Sequence, residues 1–198
     1  MYNVYGIPQT RTFRVLWALE EIGLAYELHH HAPQSPGILA LNPSGKVPVL
    51  EHIGHVIWDS TAILTYLADS NGQLTYPAGS PERARQDAMT FQLLDEVDAV
   101  LWTASRHSFI LPEEQRCPEV KPSLKWEFAR NLDRLAGALD GPFLMGEDLT
   151  IPDIIFVHCL NWASNARFPV DNVTLQEYSN RLRSRAAYGR VAALIKQD

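Results

Sequence analysis

The sequence predicts an α/β first part of order β-α-β-α-β-β-α followed by an all-helical second part. Three observations carry that prediction. Alternating apolar runs occur only before residue 60, apolar residues beyond residue 81 recur at three-and-four spacing, and the stretch NGQLTYPAGSP at 71–81 breaks the chain between the two regimes. At 198 residues, 46% hydrophobic and 10% aromatic, the chain can build one large core or two small ones. The pattern divides it into a first domain at 1–73, a linker at 74–82 and a helical domain at 83–198.

Tyr2 to Ile7 alternates and is rich in aromatic and β-branched residues, which predicts a strand ending at Pro8. A helix follows, with Thr10 or Thr12 as its cap, apolar residues on more than one face (Phe13, Val15, Leu16, Trp17, Leu19, Ile22) and Gly23 as its stop. Ala25 to His30 reads as a second strand, and Pro33 to Leu41 as a loop with room for one irregular helical turn. Two short strands joined at Ile53-Gly54 come next, then a helix over 60–70 with Ile63, Leu64 and Leu67 as its apolar stripe.

Beyond the break, Glu82 to Ile110 reads as one long helix and Ser123 to Leu139 as another, with prolines at 112, 118 and 122 punctuating the loop between them. Thr150-Ile151-Pro152-Asp153 opens a helix that is apolar nearly all round, the core helix of this half. Pro152 has no N–H, so the Thr150 hydroxyl is expected to cap the Asp153 amide while the Asp153 carboxylate reaches back to the Thr150 amide. Helical patterns at Thr174 to Ser184 and Tyr188 to Lys196 close the chain.

The stretch NPSGKVPVLEHIGHVIWDS, Asn42 to Ser60, is the most specific in the chain. Asn42-Pro43 and Ser44-Gly45 are turn signals, and Val47-Pro48 stands at the mouth of a strand, where an X-Pro bond can be cis and leave the Val47 main chain turned outward and unpaired. Asp59-Ser60 places a carboxylate and a hydroxyl at a helix start, where anionic groups collect. Together these would hold an extended small peptide at its middle and at one charged end.

Composition excludes several classes. A net charge of −6 with scattered lysines and arginines speaks against nucleic acid as a partner. Two cysteines without CxxC spacing support neither a disulfide framework nor a thiolate metal site, and fit a reducing cytoplasm. No leader pattern and no membrane-length apolar run is present, so the sequence reads as soluble, with no membrane partner.

Over essentially its whole length the chain resembles a cytosolic glutathione S-transferase of bacterial type. QTRTFRVLWALEEIGLAYE resembles the family's first helix, NPSGKVPVLE its Val-cisPro turn, Asp59-Ser60 its γ-glutamyl anchor, and LTIPDI its buried-helix capping motif. The resemblance implies a thioredoxin-like first domain packed on an all-helical domain, a family homodimer, and glutathione as co-substrate with no metal. It implies that Val47, ahead of Pro48, pairs its backbone with the cysteinyl part of glutathione, that Asp59 and Ser60 hold the γ-glutamyl end, and that Lys46 suits the glycyl carboxylate. The thiol activator of relatives with a Ser-Arg-x-x-Arg-Val-Leu-Trp start falls here on Thr10. Tyr5 competes, since some relatives use a tyrosine near the end of the first strand, with a packed strand residue as the plain alternative; Thr12 competes too, with a simple helix cap as the alternative.

The resemblance further implies an electrophile pocket between the domains, walled partly by the long helix, and Trp102, Arg106 and His107 at the end of that helix are candidates for it. Trp162 reads as core. His29-His30-His31 alternate faces on a strand and cannot converge on one ion, Cys159 lies in the apolar helix and reads as buried and inert, and Cys117 is assigned no role. Three functions follow: conjugation of the glutathione thiolate to a hydrophobic electrophile, a glutathione-dependent peroxidase or disulfide reductase, and glutathione binding without chemistry.

Overall fold

The computed structural model describes residues 1–195. Four strands form one mixed sheet in the order β2-β1-β3-β4: β1 (Tyr2–Gly6), β2 (Tyr26–His30), β3 (Val49–His52) and β4 (His55–Trp58). β1 runs parallel to β2 and antiparallel to β3, which is antiparallel to β4. Ile53 (φ 46°) and Gly54 (φ 77°) both take left-handed backbone, so the β3–β4 turn is the tight two-residue hairpin expected there.

Helix α1 (Thr12–Ile22) connects the parallel pair and ends as expected at Gly23, φ 81°, whose amide and that of Leu24 both donate to the Leu19 carbonyl. Its N-cap residue is Arg11, not a threonine. The single irregular helical turn expected within Pro33 to Leu41 is a six-residue helix, α2 (Pro36–Leu41), with Ser35 as its N-cap residue and Pro36 at its first position. Helix α3 (Ser60–Asn71) packs beside α1, and Val15, Leu16, Leu19, Ile63, Leu64 and Leu67 are buried with Val4 and Leu50 of the sheet.

The chain divides into two compact units, residues 1–83 together with the segment from Leu182 onward, and residues 84–181. The expected helical domain ran to the C-terminus. The segment from Leu182 instead goes with the first unit, because Arg185 forms a two-pronged ion pair with Glu21 (2.7 and 2.8 Å) and the Tyr188 ring packs 5.1 Å from both Phe13 and Trp17.

The long helical run after the break comprises α4 (Pro81–Leu93), a π-helical segment Leu94–Asp98, α5 (Ala99–Ser105) and a second π segment Arg106–Ile110. It is continuous as expected, but each π segment inserts one residue per turn, which the three-and-four spacing did not show. Helices α6 (Lys121–Gly137), α7 (Ile151–Asn165), α8 (Val173–Arg183) and α9 (Ala186–Leu194) follow. The expected last helix reached Lys196, which lies outside the described residues. Helix α7 is the core of the second unit, with Ile154, Ile155, Phe156 and Val157 fully buried.

At the start of α7 the expected capping box is in place. Asp153 Oδ2 accepts the Thr150 amide (2.8 Å) and the Thr150 hydroxyl (3.0 Å), while Oδ1 accepts the Leu144 amide (2.8 Å) and the Tyr178 hydroxyl (2.7 Å). Burial pushes the Asp153 carboxyl up, and these four hydrogen bonds oppose that shift. No helix among the described residues is long and apolar enough to cross a membrane.

Candidate active site

The Val47-Pro48 bond is cis. Asn42, buried, braces the turn by donating from its amide nitrogen to the Lys46 carbonyl (2.9 Å) and accepting the Ser44 amide and hydroxyl at Oδ1 (3.2 and 2.9 Å). Pro48 is buried, Lys46 is exposed, and Val47 is half-buried between them. The main chain of Val47 forms no hydrogen bond among the described residues, just ahead of the point where Val49 joins the sheet opposite Tyr5. An unpaired main chain leading into a strand is a template for an extended peptide.

The second element is the start of α3. Asp59 takes a left-handed φ of 74°, rare for a non-glycine residue, and caps the helix: its Oδ1 accepts the amides of Thr61 (2.9 Å) and Ala62 (3.1 Å). Its other oxygen stays available as an acceptor at an exposed position. Ser60 is buried, and Arg14 Nη1 lies 3.5 Å from its Oγ. Arg14 is itself fully buried, so α1 sets a guanidinium beside the first turn of α3, where helix amides already favour an anion. Sequence reasoning missed Arg14. Its signal was a lone cation in the otherwise apolar run FRVLW.

At Thr10 the protons can be counted. The hydroxyl donates to the Ile7 carbonyl (2.8 Å), and this uses its one proton. The 2.9 Å contact with the Thr12 hydroxyl therefore has Thr12 as donor, and the Thr12 amide donates to the same oxygen (3.2 Å). Thr10 Oγ1 thus accepts twice and donates once. Two incoming hydrogen bonds polarise the O–H and make it a stronger donor. Ile7 O also accepts the Thr10 amide (3.1 Å), so the hydroxyl proton can turn to another acceptor without stranding the carbonyl.

Thr12 is fully buried, and its side chain fills the space over Gly6, where a Cβ would come within 2.2 Å of Thr12 Oγ1. Tyr5 is half-buried, not core: its hydroxyl donates to Glu51 Oε2 (2.8 Å) and its ring stacks on His29 at 4.6 Å. Burial, then the Glu51 hydrogen bond, raise the Tyr5 phenol above its ordinary range and keep its proton on oxygen.

In the second unit Trp102 and His107 are half-buried and Arg106 is exposed. Arg106 donates to Thr103 Oγ1 (2.9 Å), and His107 Nδ1 accepts the amide of Cys117 (3.1 Å). Cys159 is buried with its thiol 3.8 Å from Asp98 Oδ2, Cys117 is exposed, and Trp162 is half-buried. His29 lies 3.2 Å from Asn3 Oδ1 and is stacked on Tyr5, while His30 is exposed. No group of metal-ligating side chains occurs among the described residues.

A family model of the glutathione S-transferase N-terminal domain matches residues 11–70. A glutathione S-transferase of Pseudomonas putida is 31% identical over 174 residues, covering 83% of this chain and 76% of its own. The chain belongs to the glutathione S-transferase family. A glutathione transferase from Methylococcus capsulatus superposes with a TM-score of 0.86 over the whole of both chains at 23% identity, a likeness of fold. The theta-class glutathione S-transferase from Xanthomonas axonopodis, solved with glutathione bound, superposes with a TM-score of 0.77 at 28% identity over 96% of this chain and 95% of its own. As a family member, the chain has a thioredoxin-like first unit and a helical second one.

Proposed function

We propose that this glutathione S-transferase binds glutathione along Val47 and at the start of α3, and adds its thiolate to a hydrophobic electrophile. The observation that carries the proposal is the unpaired Val47 main chain at the cis-Pro48 turn, in the same compact unit as the Asp59-capped start of α3. The cysteinyl backbone pairs with Val47. The γ-glutamyl carboxylate takes the Ser60 end of α3 beside Arg14, its ammonium takes the open oxygen of Asp59, and Lys46 meets the glycyl carboxylate.

Thr10 then donates to the sulfur. A free thiol with a pKa of about 8.5 is mostly protonated at neutral pH, and lowering it by about 2 units takes roughly 2.7 kcal/mol, within reach of one charge-assisted hydrogen bond plus a helix N-terminus. The polarised Thr10 hydroxyl at the head of α1 supplies both. Trp102, Arg106 and His107 are assigned to the electrophile, and a homodimer is the assembly we assign.

The test is conjugation of a panel of model electrophiles, with hydroperoxide and disulfide turnover measured beside it. Acceleration that falls in Thr10→Ala while glutathione is retained supports the reading. Glutathione retention without acceleration of any electrophile makes the protein a binder, and turnover confined to hydroperoxides or disulfides makes it a peroxidase or reductase.

A further inference from the structure

The main chain just ahead of Val47 is held from two directions. From within the turn, the buried Asn42 donates from Nδ2 to the Lys46 carbonyl (2.9 Å). From the far side of α2, Gln34 takes the two carbonyls before that one: its amide donates to Gly45 O (2.9 Å) and its Nε2 to Ser44 O (3.0 Å). Three successive carbonyls, at 44, 45 and 46, are thus tied down. The next residue is Val47, whose own main chain forms no hydrogen bond among the described residues.

Stability does not explain Gln34. It takes a left-handed φ of 65°, where glycine would sit without strain, and its side chain is exposed. A hydrogen bond made by an exposed carboxamide competes with water and stabilises the fold little. The contact is nevertheless closely fitted. A Cβ on Gly45, itself at φ 67°, would come within 2.3, 2.4 and 2.5 Å of Nε2, Cδ and Oε1 of Gln34. Only glycine at 45 lets that carboxamide reach Ser44 O. Backbone held in a sparsely populated region by surrounding bonds is characteristic of ligand clamps.

We propose that Gln34 is a positioning residue for glutathione, acting through the turn at 44–46 on the Val47 main chain. It does not touch the peptide. It fixes the turn so that the Val47 N–H and C=O are already aimed when the cysteinyl part arrives, an inference that rests on the glutathione reading of Val47. A turn free to move must be ordered at the moment of binding, and that ordering lowers affinity. Thr10 lies between β1 and α1, so the group acting on sulfur is held separately from this brace.

Calorimetric titration of the full chain with glutathione and with γ-glutamylcysteine, which lacks the glycyl residue, tests the proposal. Gln34→Met keeps the length, neutrality and backbone of the residue and removes its side-chain donor. It is expected to weaken both peptides about three- to tenfold and by the same factor, because both pair with Val47 through the cysteinyl part. Gln34→Gly relieves the left-handed backbone and is expected to weaken both likewise with its unfolding midpoint little changed, so its loss of binding is not loss of fold. In turnover the same factor should appear in KM for glutathione, with kcat at saturating glutathione retained. Unweakened binding in both variants, or a lowered kcat with KM unchanged, would overturn the proposal. Weakening confined to glutathione would also overturn it, by making Gln34 a direct contact of the glycyl end. Native protein that binds neither peptide would overturn the proposed function and this role with it, whereas native binding that the variants leave intact overturns the role alone.

Discussion

Thr10 has one hydroxyl proton, held by the Ile7 carbonyl, and the proposed function turns that proton to the sulfur of glutathione. Thr12 is the neighbour that matters: buried out of reach of any ligand, it feeds two hydrogen bonds into Thr10 Oγ1. Thr10→Val should therefore lower kcat/KM at neutral pH by about tenfold or more, Thr10→Ser should retain activity, and Thr12→Val should fall between them by weakening the donor without touching glutathione. Steady-state kinetics on the three variants checks this order. Tyr5→Phe should leave the rate unchanged, because the Tyr5 proton serves Glu51. The sequence made Thr10, Thr12 and Tyr5 competitors. The resemblance put Thr10 first of the three, whereas burial and proton direction, which bear on that choice, depend on contacts between β1, β3 and the head of α1 that no local spacing encodes.

At the level of elements, two helix starts carry the argument. Asp59 both caps α3 and stands in the proposed site, and the two roles separate by substitution. Asp59→Ala should cost about 1 kcal/mol of stability in denaturant unfolding, since two amides lose their acceptor. Asp59→Asn keeps an acceptor for those amides, and should keep most of the stability while weakening glutathione severalfold through loss of the ammonium contact. At α7, Thr150→Ala should cost on the order of 1 kcal/mol, and Asp153→Ala about 3 kcal/mol or more, because it strands the buried Thr150 amide and Tyr178 hydroxyl as well as the Leu144 amide. The reach of Asp153 to Thr150 was legible from Thr150-Ile151-Pro152-Asp153 alone. Its further bonds to Leu144 and Tyr178 were not, because they join segments 9 and 25 residues away.

For the whole molecule, the order of elements was readable because the apolar period changes at each boundary and glycine or proline marks most ends. What was not readable came from packing at long range: the π segments inside the 81–110 run, and the return of the chain from Leu182 to α1 through Arg185 and Tyr188. Alkaline stability is a property at this scale. Tyr26 is pushed up to about 12, first by burial and then by its hydrogen bond to Glu20, and burial raises Tyr178 well above its ordinary value, with Asp153 adding to it. Both phenols are raised when folded, so their contribution is fully present below the unfolded value near 10 and is lost as pH rises from there through the folded values. Unfolding midpoints should accordingly fall steeply above about pH 10, and Tyr26→Phe should make that fall shallower.

The central claim is that this chain binds glutathione as a thiolate held by Thr10. The most direct measurement is the ultraviolet absorbance of bound glutathione thiolate, titrated against pH in the native protein and in Thr10→Val. The account predicts a midpoint well below the free-thiol value of about 8.5 in the native protein, moving back towards it in Thr10→Val. A bound thiol that titrates like free glutathione, or a lowered midpoint that Thr10→Val leaves in place, would contradict it.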